Sequence, residues 1–206
     1  MSETVESKDY FALFGLARHL HVELSALEKA FYAKSRRLHP DRFAAKPAAE
    51  QEAALAASSQ LNDAYRTLRE PIARTEYLLG LEGIQMEEQS RAATDAAKAT
   101  GTAKKQVAPP DLLEEAFELN MQLEEMKMDP DPGVRADLEA AAAKFTEMLA
   151  ETQVQLEGLW SKWDAAVDAD DATAKDAAKT AMVALLNRRS YIRNLVRDVN
   201  AVISDK

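Results

Sequence analysis

The chain has 206 residues, no cysteine, three histidines and a net charge of −9, from 26 Lys and Arg against 35 Asp and Glu. That length holds one compact domain or two small ones. The lack of cysteine excludes disulfides, thiolate metal sites and a cysteine nucleophile, and no run of about 18 apolar residues exists to span a membrane.

Six glycines and seven prolines interrupt a composition rich in Ala, Leu, Glu, Lys and Arg, which predicts an all-α fold. His19 and His21 stand two apart and would not share a helix face, so neither a metal site nor a cofactor is expected. The opening Met1-Ser2-Glu3-Thr4-Val5-Glu6 is acidic, unlike the apolar core of a secretory signal or an Arg-rich transit peptide. Charge is unevenly divided. Residues 1–80 hold 11 basic and 11 acidic side chains, and residues 81–206 the remaining 15 and 24. An acidic C-terminal half argues against nucleic acid as the main ligand.

Residues 9–18 read Asp9-Tyr10-Phe11-Ala12-Leu13-Phe14-Gly15-Leu16-Ala17-Arg18, a short apolar element ended near Gly15. A helix capped by Ser25 or an earlier residue then runs to about Leu38. Leu24, Leu27, Phe31 and Leu38 fall on one face of it, and Lys29 and Arg36 on the opposite one. Pro40 biases His39 away from helical geometry and stops it. A third helix is expected over 50–69, with Leu55, Leu61, Tyr65 and Leu68 inward and Pro71 as its stop. A short helix over 74–79 follows, closed by Gly80. About eight large apolar side chains, each contributing about 1.5–3 kcal/mol when buried, suffice for a small helical hairpin.

Residues 89–110 turn to Ala, Thr and Lys and close on Ala108-Pro109-Pro110, the composition of a linker. The chain therefore divides into an N-terminal domain over 1–88, a linker over 89–110 and a second domain over 111–206. In that second domain Leu112, Ala116, Leu119, Leu123 and Met126 step 4-3-4-3, and Asp129-Pro130-Asp131-Pro132-Gly133 forces a turn. The alternation continues through Leu138, Ala142, Phe145, Leu149, Thr152, Leu156, Leu159 and Trp163. It resumes in Ala178, Ala181, Leu185, Arg188, Ile192, Leu195, Val199 and Val202. Three seamed helices joined by turns predict an antiparallel, coiled-coil-like three-helix bundle. Trp160 and Trp163 are expected in its core. The stretch 164–179 is expected as a solvated turn and helix start, with Asp168, Asp170 or Asp171 as cap.

Two constellations stand out. The first is His39-Pro40-Asp41, placed between a basic amphipathic helix carrying Lys29, Lys34, Arg36 and Arg37 and a second helix reading Leu61-Asn62-Asp63-Ala64-Tyr65-Arg66-Thr67-Leu68. Here Pro40 would fix the turn, and Asp41 would present a carboxylate to a partner's arginine. Lys29, Arg36 and Arg37 would steer the module to an acidic surface. The bland alternative is a helix connector in which Asp41 merely caps a turn. The second constellation is Leu113, Phe117 and Met121 at i, i+4, i+8, off the seam and flanked by Glu114 and Glu118. It is either a partner-binding patch or a stripe buried by packing of the bundle against the N-terminal domain. Tyr191, beside the seam position Ile192 and among Arg188, Arg189 and Arg193, either extends that patch or covers the seam's edge. No Gly-rich phosphate loop, metal-ligand cluster or nucleophile–base grouping appears, so no catalytic residues and no enzymatic activity are expected.

Basic helix, HPD turn and helix in that order resemble the J-domain, the module that stimulates ATP hydrolysis by chaperones of the DnaK type. The wider chain resembles HscB, the J-type co-chaperone family of iron–sulfur cluster biogenesis. The family's opening Tyr-Phe-x-Leu-Phe-Gly-Leu is matched by Tyr10, Phe11, Leu13, Phe14, Gly15 and Leu16, and its basic residue and Phe after the turn by Arg42 and Phe43. Its following stretch is matched by Asn62, Ala64, Tyr65, Thr67, Leu68, Pro71, Arg74, Tyr77, Leu78 and Leu79. The resemblance implies that His39, Pro40, Asp41, Lys29, Arg36 and Arg37 dock on an HscA-type DnaK-like ATPase. It also implies that Leu113, Glu114, Phe117, Glu118, Met121 and Tyr191 bind the IscU scaffold. Departures are Glu114 where an apolar residue is common, Met121 where an acidic one is common, and Lys34 where an apolar one is common. The Cys-rich zinc module of some eukaryotic members is absent, which implies a bacterial cytoplasmic protein; on charge and hydropathy neither a membrane nor nucleic acid is expected as partner. Self-association of the bundle stays open. A general J-protein holdase for unfolded clients, and a structural coiled-coil adaptor with an incidental HPD, remain the alternatives.

Overall fold

The structure is a computed structural model that describes residues 9–84 and 109–204. The expected 89–110 linker, apart from Pro109 and Pro110, lies outside the described residues, as do the opening eight. Among the described residues every regular element is a helix: α1 Tyr10–Phe14, α2 Leu24–Leu38, α3 Ala48–Arg69, α4 Pro71–Leu81, α5 Leu113–Met128, α6 Pro132–Asp168 and α7 Ala172–Ser204. Short 3-10 turns occupy Pro40–Phe43 and Pro110–Leu112. The described chain forms two compact units. One holds residues 9–84 with 160–179, the other 109–159 with 180–204. The segment 160–179 thus joins the first unit, which departs from the division at the linker.

Local chemistry explains the boundaries in the first unit. Asp9 caps α1 by accepting from the Phe11 amide at 2.9 Å. Gly15, at φ 71°, ends the helix in the left-handed region that favours glycine, and its amide bonds the Ala12 carbonyl. Glu23 caps α2 by accepting from the Ser25 hydroxyl and from the Ser25 and Ala26 amides. These bonds, the hydroxyl's foremost, hold its carboxyl below the usual range. Pro47 and Pro71 precede or open α3 and α4, where the missing N–H costs nothing. Gly80 does not close α4 as expected; the helix passes through it to Leu81, and Gly83 at φ 84° makes the turn.

The hairpin of α2 and α3 buries Leu27, Leu61, Ala64 and Leu68 beside Phe11, Leu20, Leu78 and Leu79. Phe31 stacks on Tyr65 with ring centroids 4.2 Å apart, and Tyr10 on Tyr77 at 4.4 Å. Leu24 and Leu55 were expected inward and are instead 50% and 62% exposed. Leu24 opens α2, where the pairing surface has run out, whereas Leu55 stands about 100° around α3 from the buried Ala54 and so off the buried face.

The main correction concerns 160–179. Trp160 and Trp163 are buried in the first unit, not in the bundle core. The Trp160 indole donates to Thr75 Oγ1 at 2.9 Å and the Trp163 indole to the Arg18 carbonyl at 2.8 Å. Asp164, expected in a solvated turn, lies inside α6 and accepts from the Leu20 and His21 amides at 2.6 and 3.0 Å. His21 Nδ1 is 2.8 Å from the same carboxylate. His19 Nε2 lies 3.0 Å from Asp168 Oδ1, at an angle outside hydrogen-bond alignment. The Arg74 guanidinium, itself buried, sits 5.0 Å from the Trp160 ring centroid. Burial lowers its pKa, and Asp164 and Glu70 oppose that shift. Asp171 does cap α7, accepting from the Ala174 amide at 3.0 Å.

The second unit is an antiparallel bundle. Lys144 bridges to Glu115 at 3.3 Å, and Arg135 donates to the Ile203 carbonyl at 2.8 Å, which pairs the start of α6 with the end of α7. The α5 seam is buried as the 4-3 spacing predicts: Leu112, Ala116, Leu119, Leu123 and Met126 pack with Leu138, Phe145, Ile192, Leu195 and Val199. The α7 seam keeps Ala178 buried as expected but is displaced by one residue at its next two positions. Met182 and Leu186 are buried where Ala181 and Leu185 were expected.

Candidate functional site

The HPD turn is shaped by its own backbone. His39 adopts ψ 128°, the extended geometry that a following proline enforces, and the chain then enters a 3-10 turn over Pro40–Phe43. The Arg42 amide returns to the His39 carbonyl at 3.0 Å, and the Arg42 guanidinium reaches the Arg36 carbonyl at 3.4 Å. Gln51 of α3 holds the loop beyond by donating to the Ala44 and Lys46 carbonyls at 3.3 and 2.8 Å. Arg42 and Gln51 are positioning residues that spacing could not single out, since each acts through a backbone carbonyl.

His39 Nδ1 accepts from the Asp41 amide at 3.3 Å and lies 3.4 Å from Asp41 Oδ2. These contacts are alternatives: a neutral ring accepts the amide, and a protonated one donates to the carboxylate. The Asp41 side chain is 88% exposed. Lys29, Arg36 and Arg37 are all exposed on α2. Among the described residues no carboxylate pairs with any of them; Arg36 Nε is satisfied by the Tyr32 carbonyl at 3.3 Å. The turn and three cations thus occupy one hairpin.

The second constellation lies on α5. Leu113, Phe117 and Met121 are 55%, 67% and 60% exposed, and Glu114 and Glu118 beside them are also exposed. This apolar stripe lies outside the seam and is open to solvent. Tyr191 is half-buried against the bundle core, and burial raises its phenol's pKa. One turn before it, Arg188 pairs with Asp111 at 2.6 Å, tying α7 to the start of α5. Sequence reasoning missed Met128, which at 85% exposure is the barest large apolar side chain among those described. Seven residues after Met121, it returns to the same side of the helix.

Among the described residues no three His, Asp or Glu side chains converge as a metal-ligand set, and no helix is long and apolar enough to cross a membrane. No protein-family model matches the chain. Proteins from two strains of Vibrio cholerae serotype O1, each named co-chaperone protein HscB homolog, are 36% identical to it over 162 residues. That alignment spans 78% of this chain and 85% of theirs. Among solved structures, chaperone HscB from Vibrio cholerae aligns over 94% of this chain and 96% of its own, with a TM-score of 0.59 and 30% identity. The crystal structure of human co-chaperone protein HscB aligns over 95% of this chain and 82% of its own. Its TM-score of 0.55 at 22% identity is a likeness of fold alone. By identity sustained over most of both chains, this protein belongs to the HscB family of co-chaperone proteins.

Proposed function

We propose that this chain is a J-type co-chaperone that stimulates the ATPase of an HscA-type DnaK-like chaperone and delivers the IscU scaffold to it, in support of iron–sulfur cluster assembly. It has no catalysis of its own in this account. The observation that carries the proposal is the HPD turn: backbone-locked, with the Asp41 carboxylate in solvent, beside three cations that no carboxylate among the described residues neutralises. A carboxylate so displayed can reach a partner's guanidinium, and the cations favour encounter with an acidic surface. The exposed Leu113, Phe117 and Met121 stripe supports scaffold capture, because a large apolar patch framed by carboxylates fits a protein partner.

Single-turnover ATP hydrolysis by the ATPase, with wild type or Asp41→Asn, tests the first surface. Stimulation should fall to the basal rate with Asp41→Asn while scaffold binding is retained; full stimulation by the mutant would refute the docking role. The same exposed stripe favours a second reading, a holdase for unfolded clients. That reading requires suppression of aggregation of unrelated denatured proteins, lost in Phe117→Ala.

A further inference from the structure

Tyr32 is 55% exposed on a helix whose other large apolar side chains, Leu24 apart, are turned partly or wholly inward. By helical geometry it stands between Lys29 and Arg36, all three within about 60° of arc on the outward face of α2. The ring is braced, because it contacts Phe31 with centroids 5.4 Å apart, and Phe31 is stacked on Tyr65. Among the described residues no group hydrogen-bonds its hydroxyl, so no polar contact among them accounts for its outward placement. An exposed tyrosine loses little rotamer freedom on binding. Tyrosine and arginine are also the side chains over-represented among residues that dominate interface energetics.

We propose that Tyr32 is the aromatic anchor of the ATPase-docking face, seated on the partner between the sites of Lys29 and Arg36. This rests on the ATPase-docking reading of the HPD turn. The occupant is a face of the ATPase that is acidic around an apolar recess. Three cations without carboxylate partners among the described residues, on a chain of net charge −9, specify the acidic rim, and the ring specifies the recess. Asp41 would trigger hydrolysis, and Tyr32 would set how tightly this face is held. The two residues therefore act on different kinetic parameters.

The test is single-turnover ATP hydrolysis by an HscA-type ATPase, titrated with the full-length wild type, Tyr32→Ala, Tyr32→Phe, Tyr32→Glu and Asp41→Asn. Tyr32→Ala should raise the half-saturating concentration about tenfold or more without lowering the plateau. Tyr32→Phe should stay near wild type, since the hydroxyl has no partner, and Tyr32→Glu should exceed the alanine effect by adding a negative charge to the docking face. An unchanged melting curve for Tyr32→Ala excludes a folding defect. Wild-type half-saturation in Tyr32→Ala, with stimulation lost in Asp41→Asn, would overturn the anchor and leave the docking reading standing. Full stimulation by Asp41→Asn would remove the docking reading and this inference together.

Discussion

The two units are held together by different physics. In the second, a periodic apolar seam of Leu112, Leu119, Leu123, Phe145 and Ile192 is buried between the helices. In the first, a distant piece of chain is keyed into place by polar groups: the Trp160 and Trp163 indoles, and an Asp164 carboxylate that takes two backbone amides 144 and 143 residues away. Packing of apolar volume is tolerant of shape, whereas a half-buried acceptor aimed at two amides is not. Their exposed faces differ as well. The first presents fixed charge on a rigid turn, and the second presents apolar area edged with carboxylates.

The widest separation should come from Trp163→Ala, which removes a side chain that is 1% exposed. It should cost about 3–5 kcal/mol of stability by denaturant unfolding and leave scaffold affinity unchanged in the folded protein. A loss under about 1 kcal/mol would mean that 160–179 is not integral to the first unit. Next, Phe117→Ala should weaken scaffold binding by about 2 kcal/mol with no effect on stability, since the ring is in solvent. Calorimetric titration reads this, and an unaltered dissociation constant would remove Phe117 from the interface.

A paired comparison sharpens the contrast in tolerance. Asp164→Asn keeps shape but replaces one amide-accepting oxygen by a donor, and should cost about 1–3 kcal/mol. Leu123→Met alters shape in the seam and should cost less than about 1.5 kcal/mol. Equal costs would contradict the distinction between the units. The smallest effect concerns Glu23. Its lowered pKa means that the carboxylate stabilises α2 above the ordinary range near about 4.3 and that this is lost as pH falls through the lowered value. The melting gap between wild type and Glu23→Gln should therefore be present at neutral pH and close as pH falls below the ordinary carboxylate range. A gap independent of pH would show that the ionised cap contributes nothing.

What the sequence made legible follows the same division. The α5 seam, the HPD turn, the Gly15 stop and the exposed stripe all leave local or periodic signals, and each lies where spacing puts it. The keyed contacts do not. Nothing within a helical window around Trp160 or Asp164 distinguishes a bundle position from one that pairs with Arg18, Leu20 or Thr75, because those partners are 85 to 145 residues distant. Leu24 and Leu55 failed because amphipathic spacing fixes neither how far along a helix the partner extends nor which of two adjacent positions it covers: Ala54, not Leu55, is buried. Tyr32 was passed over because it sits on the polar face, where an aromatic adds nothing to a helical periodicity.

The central claim is that the two exposed surfaces serve one cycle. Its most direct test is single-turnover ATP hydrolysis by HscA-type and DnaK-type ATPases with this protein, with and without IscU. The account predicts stimulation that rises synergistically with IscU and only for the HscA-type ATPase. Stimulation of DnaK that ignores IscU would contradict it and leave the α5 stripe in need of another partner.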